Sequence, residues 1–305
     1  MRKTNIGGQA VIEGVMMRGK KIYAMSVRNP EGGITTEKSD VKDLSNKYKI
    51  FKLPIFRGVG AFVDSLVTGT KILMRSAEIA GEITEDEGEP SKFEKFIMDK
   101  AGDKLNDYII YISVTISMVV AIALFFLLPV FLGGFFRKYV DTWALGIVEG
   151  FIRIGIFLVY LFLISRMKDI QRVFQYHGAE HKTINCYESG EELTIENVMK
   201  HTRLHKRCGT SFLFLVMLIS MVIFFFVRTD VIWLRFVSRI LLVPVVAGVS
   251  YEVLRWAGRS NSVFVKAISY PGLCLQKLTT AEPDGSQIET AISAMKTVLE
   301  EEPNE

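Results

Sequence analysis

A run of 25 residues without a charged side chain, residues 108–132, constrains this sequence more than any other feature. At a rise of about 1.5 Å per residue, a helix of that length exceeds the roughly 30 Å hydrocarbon core of a bilayer. Three further apolar segments follow at residues 144–165, 211–227 and 231–256, and the mean hydropathy of the chain is positive. The sequence therefore predicts an α-helical integral membrane protein with about four transmembrane helices.

Charged residues inside two of these spans need partners or access to water. Glu149 and Arg153 lie four residues apart, so we expect them to neutralise one another on one helix face. In the fourth span, Arg235 and Arg239 are expected to extend towards the membrane surface or to begin an interfacial turn.

The distribution of Lys and Arg predicts the orientation of the spans. The connection at residues 166–207 contains eight of them, whereas the connection between the first two spans contains only Arg137 and Lys138. Basic connections stay on the cytoplasmic side, which predicts a multi-pass plasma-membrane protein with both termini in the cytoplasm. No signal peptide is expected, because the first hundred residues contain no apolar core.

Five consecutive regions follow from these patterns. Residues 1–91 read as a cytoplasmic α+β module, with a hairpin near residues 21–41 and an amphipathic helix from Gly58. Beyond an acidic linker, residues 92–165 hold an amphipathic helix and the first transmembrane pair, and residues 166–210 form a cytoplasmic His-rich metal-binding loop. Residues 211–257 form the second transmembrane pair. Residues 258–305 form a cytoplasmic interfacial segment, broken by Pro271-Gly272, and an amphipathic helix capped by Ser286 and Glu289.

The strongest chemical signal is the position of the histidines. All four, His177, His181, His201 and His205, lie within 29 positions of one another. His177 and His181 are four apart, so on a helix both imidazoles reach a single metal ion from one face. Glu180 between them completes the order H-x-x-E-H, in which a Glu activates water beside two metal-binding His.

A second pair, His205 and Cys208, has the spacing of zinc ligands. The sequence therefore predicts a divalent metal, expected to be zinc, with a four-ligand set: His177, His181, His205 and Cys208. Two alternatives remain open. If all four bind, the shell is closed and structural, whereas three ligands leave a position for water and make Glu180 a catalytic base. Glu252 is a further candidate ligand, and His201 is expected to be a ligand, a supporting residue or solvated.

Two other classes of function are disfavoured. Residues 14–21, GVMMRGKK, nearly match a phosphate-binding loop but lack its final Ser or Thr and precede a strand-like run. Interleaved basic and aromatic residues typical of nucleic-acid binding are absent. We therefore expect neither nucleotide nor nucleic acid as a partner.

Four motifs resemble those of a known family: GGQAVIEGVMMRG at 7–19, YHGAEHK at 176–182, HKRCGT at 205–210 and SYE at 250–252. They are similar to motifs of the YqhQ-like family of uncharacterised bacterial membrane proteins, which are described as predicted metal-dependent enzymes. The resemblance covers most of the chain and implies a protein of the bacterial plasma membrane. The sequence matches the family pattern at each proposed ligand.

Two hypotheses for function follow. The first is a metal-dependent hydrolase at the cytoplasmic membrane face that acts on a membrane-associated peptide or lipid, with Glu180 as its base. The alternative is a non-catalytic, metal-stabilised scaffold that interacts with other membrane proteins in biogenesis or assembly. Both take the lipid bilayer as a partner, and the number of protein ligands to the metal separates them.

Overall fold

The structure is a computed structural model that describes residues 4–41, 49–82, 105–205, 208–227, 229, 231–259 and 262–302. Most of these residues are helical, and a small antiparallel sheet lies near the amino terminus. The chain forms two compact units: the first contains the described residues of 1–83, 159–220 and 243–305, and the second those of 84–158 and 221–242. The predicted acidic linker from residue 83 on, and most of the amphipathic helix predicted after residue 92, lie outside the described residues.

Four strands join in chain order into one antiparallel sheet: β1 (Gly7–Val11), β2 (Gly14–Arg18), β3 (Ile22–Arg28) and β4 (Ile34–Asp40). The predicted hairpin is β3–β4, with Arg28 opposite Ile34. β1 and β2 form another hairpin, which the sequence patterns did not assign. Its two-residue turn is Ile12-Glu13, and Glu13 has a positive φ of 51°.

The helices follow in chain order: α1 (Phe56–Ile79), α2 (Leu105–Ile122), α3 (Leu128–Gly134), α4 (Thr142–Ile164), α5 (Lys168–Ser189), α6 (Ile195–Lys200), α7 (Gly209–Phe225), α8 (Ile232–Leu241), α9 (Val243–Arg259), α10 (Val263–Thr279) and α11 (Gly285–Glu301). A 3₁₀ turn, Lys49–Lys52, precedes α1, and a π-helical segment, Ala123–Leu127, joins α2 to α3. The predicted break at Pro271-Gly272 is wrong, because α10 continues through Pro271.

The two middle strands of the sheet in the first unit, β2 and β3, are buried on both faces. Successive residues of β2 point to opposite sides, so Val15 and Met17 join one core and Met16 joins the other. The first core is filled by α5, α6 and α11, and the second by Ile72 of α1 together with strand residues. The carboxyl-terminal helix thus packs on the sheet of the amino-terminal module.

The amino-terminal end of α11 corrects a detail of the sequence analysis. The capping box consists of Asp284 and Gln287, not of Ser286 and Glu289. Asp284 Oδ1 accepts the backbone N–H of Gln287 at 3.0 Å, and Gln287 Oε1 accepts that of Asp284 at 2.9 Å. The helix therefore begins at Gly285, earlier than the Ser286 cap would allow.

The residue after α11, Glu302, binds the turn between β2 and β3. Its carboxylate accepts the backbone N–H groups of Lys20, Lys21 and Ile22 at 3.0, 2.7 and 3.0 Å. Lys20 and Lys21 belong to the segment, residues 14–21, that resembles a phosphate-binding loop. A carboxylate of the chain itself takes the place that a phosphate would need there.

A buried group of charges lies in the second unit. Glu149 Oε1 is 2.7 Å from Arg235 and its Oε2 is 3.0 Å from Arg239, and all three residues are buried. Arg153 Nε donates to the carbonyl of Phe125 in the π-helical segment at 2.8 Å. The expectation that Arg235 and Arg239 extend to the surface is therefore wrong. Both are buried and have the Glu149 carboxylate as partner instead.

Two helical stretches among the described residues are long and apolar enough to cross a membrane, Ile112–Gly134 and Ala144–Ile164. They match the first two predicted spans. Trp233–Leu241 and Val243–Trp256 qualify as a third only when counted together as a broken span. Phe212–Phe225, where the third span was predicted, is apolar but shorter than the others. The structure is therefore compatible with association with a membrane through two or three spans.

Candidate metal centre

Helix α5 holds the first histidine pair in the first unit. His177 and His181 lie four residues apart on one face, and their ring centroids are 4.4 Å from each other. His181 is fully buried and His177 is partly buried. The helical spacing therefore brings both imidazoles to one place, as the sequence predicted.

Each of these rings is oriented by a backbone carbonyl. Nδ1 of His177 lies 2.8 Å from the carbonyl oxygen of Thr279, and Nδ1 of His181 lies 2.6 Å from that of Arg203. A carbonyl only accepts hydrogen bonds, so each Nδ1 carries a proton, and Nε2 is the nitrogen of each ring that can offer a lone pair to a metal. Metal-binding histidines in proteins are oriented in this way.

Cys208 lies beside the two rings, immediately before α7. Its Sγ is 3.3 Å from Nε2 of His177, and ligand atoms of His177, His181 and Cys208 all lie within 4.8 Å of one another. The backbone N–H of Thr210 donates to the same sulfur at 3.3 Å. Tetrahedral zinc with nitrogen and sulfur ligands requires ligand atoms about 3.3–3.6 Å apart. The three residues are thus close to the spacing that zinc needs.

Glu180 lies beside these three residues and is 4% exposed. One carboxylate oxygen is 3.9 Å from Nε2 of His177. Burial raises the pKa of this carboxyl group, while His177, His205 and a hydrogen bond from the backbone of Gly8 act in the opposite direction. The Cα of Gly8 lies so close that an added Cβ would be 2.5 Å from Cγ of Glu180.

His205 lies next to this group but is held differently. Its ring centroid is 5.7 Å from that of His181, and its Nε2 is 3.6 Å from a carboxylate oxygen of Glu188. The side chain of Gln276 bonds both the N–H and the carbonyl of His205, at 2.9 and 2.7 Å. The three-residue ligand group does not include His205, so its role as a fourth ligand stays a prediction.

Glu252 and His201 lie elsewhere in the first unit. Glu252 pairs through both carboxylate oxygens with Arg57, a partner that the sequence analysis did not name. His201 Nε2 is 3.4 Å from Glu191, and these two residues form a separate group with Cys186. Neither Glu252 nor His201 lines the cleft that contains the other candidates.

The cleft has a volume of about 550 Å³ and includes residues that the sequence analysis gave no chemical role. One wall is strand β1, from Gly7 to Ala10, and another is the start of α7 with Thr210 and Leu213. The only available signal for the first wall was the glycine-rich GGQA motif. Two imidazoles, a thiol and a buried carboxylate facing such a cleft fit zinc, which prefers nitrogen and sulfur ligands.

Comparisons with known proteins agree with the motifs. The family described as "Protein of unknown function (DUF1385)" matches residues 53–301, which include every candidate ligand. The "Uncharacterized protein YqhQ" of Bacillus subtilis (strain 168) is 37% identical over 300 residues, covering 96% of this chain and 92% of that protein. No solved structure matched the chain. Neither description names a metal or a reaction. The chain therefore belongs to the YqhQ-like DUF1385 family.

Proposed function

We propose that the protein is a four-span membrane protein with a metal centre at the cytoplasmic membrane face, and that it hydrolyses a membrane-associated substrate. Zinc is the proposed metal, and His177, His181 and Cys208 are its proposed ligands. The observation that carries the proposal is the convergence of these side chains beside a buried carboxylate, with each Nδ1 held by a backbone carbonyl.

Three ligands rather than four favour catalysis over a purely structural metal. Catalytic zinc sites typically use three protein ligands and leave one position for water or substrate, whereas structural sites use four. The cleft of about 550 Å³ beside the ligands offers room for a substrate group. A metal ion at this place would supply the positive charge that polarises a carbonyl or phosphoryl oxygen.

Glu180 is the proposed general base. Its carboxylate lies 3.9 Å from His177 Nε2 and lines the same cleft, which places it next to the proposed metal. In this role the carboxylate takes a proton from the attacking water and later gives it to the leaving group. Glu180 is therefore unchanged after one turnover.

The walls of the cleft support a substrate associated with the membrane. Leu213 belongs to the apolar helix α7, and Val173 and Phe174 add further apolar surface from α5. The proposed third span would begin at this wall. A peptide or lipid at the membrane surface would then have a short path to the metal.

The scaffold hypothesis keeps one specific observation in its favour. His205 is buried next to His181, with the two ring centroids 5.7 Å apart, and a rotation of its ring that brought a nitrogen to the other three ligands would supply a fourth. That arrangement closes the shell and excludes water. The number of ligands therefore decides between the two proposals.

Metal analysis of the full-length protein, purified without affinity histidines and without chelator, is the first test. We expect one zinc per chain, with X-ray absorption showing two nitrogen ligands, one sulfur ligand and one light oxygen. Four nitrogen or sulfur ligands would support the scaffold instead. A protein that neither contains zinc nor takes it up would overturn both.

Variants then assign the roles of the residues. Cobalt-loaded protein is expected to lose its thiolate charge-transfer absorption in Cys208→Ser and to keep it in His205→Ala. His201→Ala is the matched control, because His201 lies outside the cleft. Glu180→Gln should keep the metal but lose about 10²–10⁴-fold in rate on a peptide or lipid ester cleaved by the wild type. Full activity of Glu180→Gln would exclude its catalytic role.

A further inference from the structure

Helix α1 has an apolar stripe that the described part of the chain leaves exposed. Its large apolar residues lie along one side of the helix and are 37–51% exposed: Phe56, Phe62, Val63, Leu66, Val67 and Leu73. The preceding turn adds Ile50, Leu53 and Ile55, which are 39–53% exposed. A different face of α1, including Ile72, packs on the sheet. The stripe is therefore not required for the core.

A basic cleft of about 540 Å³ runs along the flank of the same helix. Arg18, Lys52, Arg57 and Arg255 line it, together with the aromatic ring of Tyr251. Arg18 pairs with Asp64 at 2.9 Å, and Arg57 pairs with Glu252. Within the described chain, Lys52 and Arg255 form no ion pair. The cleft therefore has an excess of positive charge.

The stripe and the cleft are two adjacent faces of one rigid element. Gly60, Ala61 and Asp64 face the cleft, whereas their neighbours Phe62 and Val63 belong to the stripe. In the turn before α1, Lys52 lies between exposed apolar residues and lines the cleft. An apolar surface beside a positive one is the pattern of helices that lie in a membrane interface.

Close packing on α9 places α1 against an apolar helix that belongs to a candidate span. A Cβ at Gly58 would lie 2.9 Å from Cα of Gly248, and one at Gly248 would lie 2.7 Å from the carbonyl of Ile55. The two backbones are thus in contact at this crossing. Both of these packed helices carry exposed apolar residues, Val245 and Trp256 on α9 and the stripe on α1, which favours lipid as the neighbour over water.

We propose that the segment 49–73 lies in the cytoplasmic membrane interface, and that the Arg18–Lys52–Arg57–Arg255 cleft binds the phosphate of an anionic phospholipid headgroup. Apolar side chains of the stripe enter the boundary between headgroups and acyl chains. The excess cations attract anionic lipid over zwitterionic lipid. This site shares no residue with the metal cleft, so it does not depend on the proposed catalysis.

Lipid retention measured by native mass spectrometry tests the cleft. The full-length protein in detergent is titrated with phosphatidylglycerol or phosphatidylcholine of identical acyl chains. The variant Lys52→Gln/Arg255→Gln removes the two cations that form no ion pair, and Glu252, whose charge Arg255 also helps to stabilise, keeps its ion pair with Arg57. Binding of phosphatidylglycerol should fall about fivefold per cation, which corresponds to about 1 kcal/mol each, and binding of phosphatidylcholine should not change.

The matched control is Lys21→Gln/Lys296→Gln, which removes two exposed cations outside the cleft. It should bind phosphatidylglycerol as the wild type does. Equal retention of the two lipids by the wild type, or unchanged retention of phosphatidylglycerol by the cleft variant, would overturn the headgroup site.

Photo-crosslinking in native membranes tests the stripe. Benzoylphenylalanine replaces Leu66 in one protein and Glu31, in the exposed turn between β3 and β4, in the control. We expect lipid adducts at position 66 and none at position 31. A crosslink from position 66 to a second copy of the chain or to another protein, without lipid adducts, would show that the stripe is a protein interface.

Discussion

At the scale of single residues, Gly8 and Glu180 show how the sheet supports the proposed metal centre. The backbone of β1 passes so close to the Glu180 carboxylate that only a residue without a side chain fits. The same backbone donates a hydrogen bond to that carboxylate. The strand therefore fixes the position of the proposed base, although it contributes no ligand.

The variant Gly8→Ala is expected to disturb this position. A Cβ there would lie 2.5 Å from Cγ and 2.7 Å from Oε1 of Glu180, and such overpacking costs about 1–3 kcal/mol. We expect a lower melting temperature and a changed absorption spectrum of the cobalt-loaded protein. Gly7→Ala is the control, since a Cβ at Gly7 meets nothing within 4 Å. Identical spectra and melting temperatures for the two variants would contradict the role of Gly8.

The sequence indicated part of this centre. His177 and His181 are four apart on a helix, so their convergence follows from local geometry. The carbonyl that orients His177 belongs to Thr279, 102 positions away, and no local pattern relates two such residues. Ligand spacing is thus readable from the sequence, whereas the supporting contacts depend on the tertiary fold.

At the scale of elements, the charges of the second unit connect helices α4 and α8. Spacing within one helix suggested that Glu149 pairs with Arg153. In the structure Glu149 contacts Arg235 and Arg239 of α8. Spacing along one helix cannot identify a partner on another helix. For that reason the sequence alone predicts that the two arginines lie at the membrane surface.

Glu149→Gln is expected to destabilise the second unit strongly. The change leaves buried arginines without their carboxylate, and removal of one partner of a buried ion pair costs about 3–5 kcal/mol. Unfolding of the purified protein by sodium dodecyl sulfate in mild detergent measures the loss. Lys138→Gln, an exposed position between α3 and α4, should change little. Equal stability of the two variants would show that the cluster contributes little.

The strands differ in how well the sequence predicts them. Asn29-Pro30-Glu31-Gly32-Gly33 marks the β3–β4 turn with residues typical of turns. The β1–β2 turn uses Ile12-Glu13, with Glu13 in the left-handed region, and carries no such signal. In addition, Gly14–Arg18 is covered on both faces, so it lacks the polar alternation of a strand with one face in water.

At the scale of the whole molecule, the proposed four spans define a topology that can be measured. We expect alkaline phosphatase fused after Lys138 to be active, because the proposed topology puts that connection outside the cytoplasm. Alkaline phosphatase fused after Thr194 or after Glu302 should be inactive. Green fluorescent protein fused at the same two positions should fluoresce. An active phosphatase at Glu302 would mean an odd number of spans and would reverse the carboxyl terminus.

The three hydrogen bonds between Glu302 and the β2–β3 turn also imply an order of folding events during synthesis. Lys20 and Glu302 are 282 positions apart, so a ribosome that adds about 5–20 residues per second needs on the order of tens of seconds between them. During that interval the sheet lacks the packing of α11, while the apolar helices emerge from the ribosome and can enter the bilayer. The cleft needs both β1 and the end of α10. In the proposed function, metal uptake is therefore expected only after α10 has been synthesised, later than the emergence of the proposed spans.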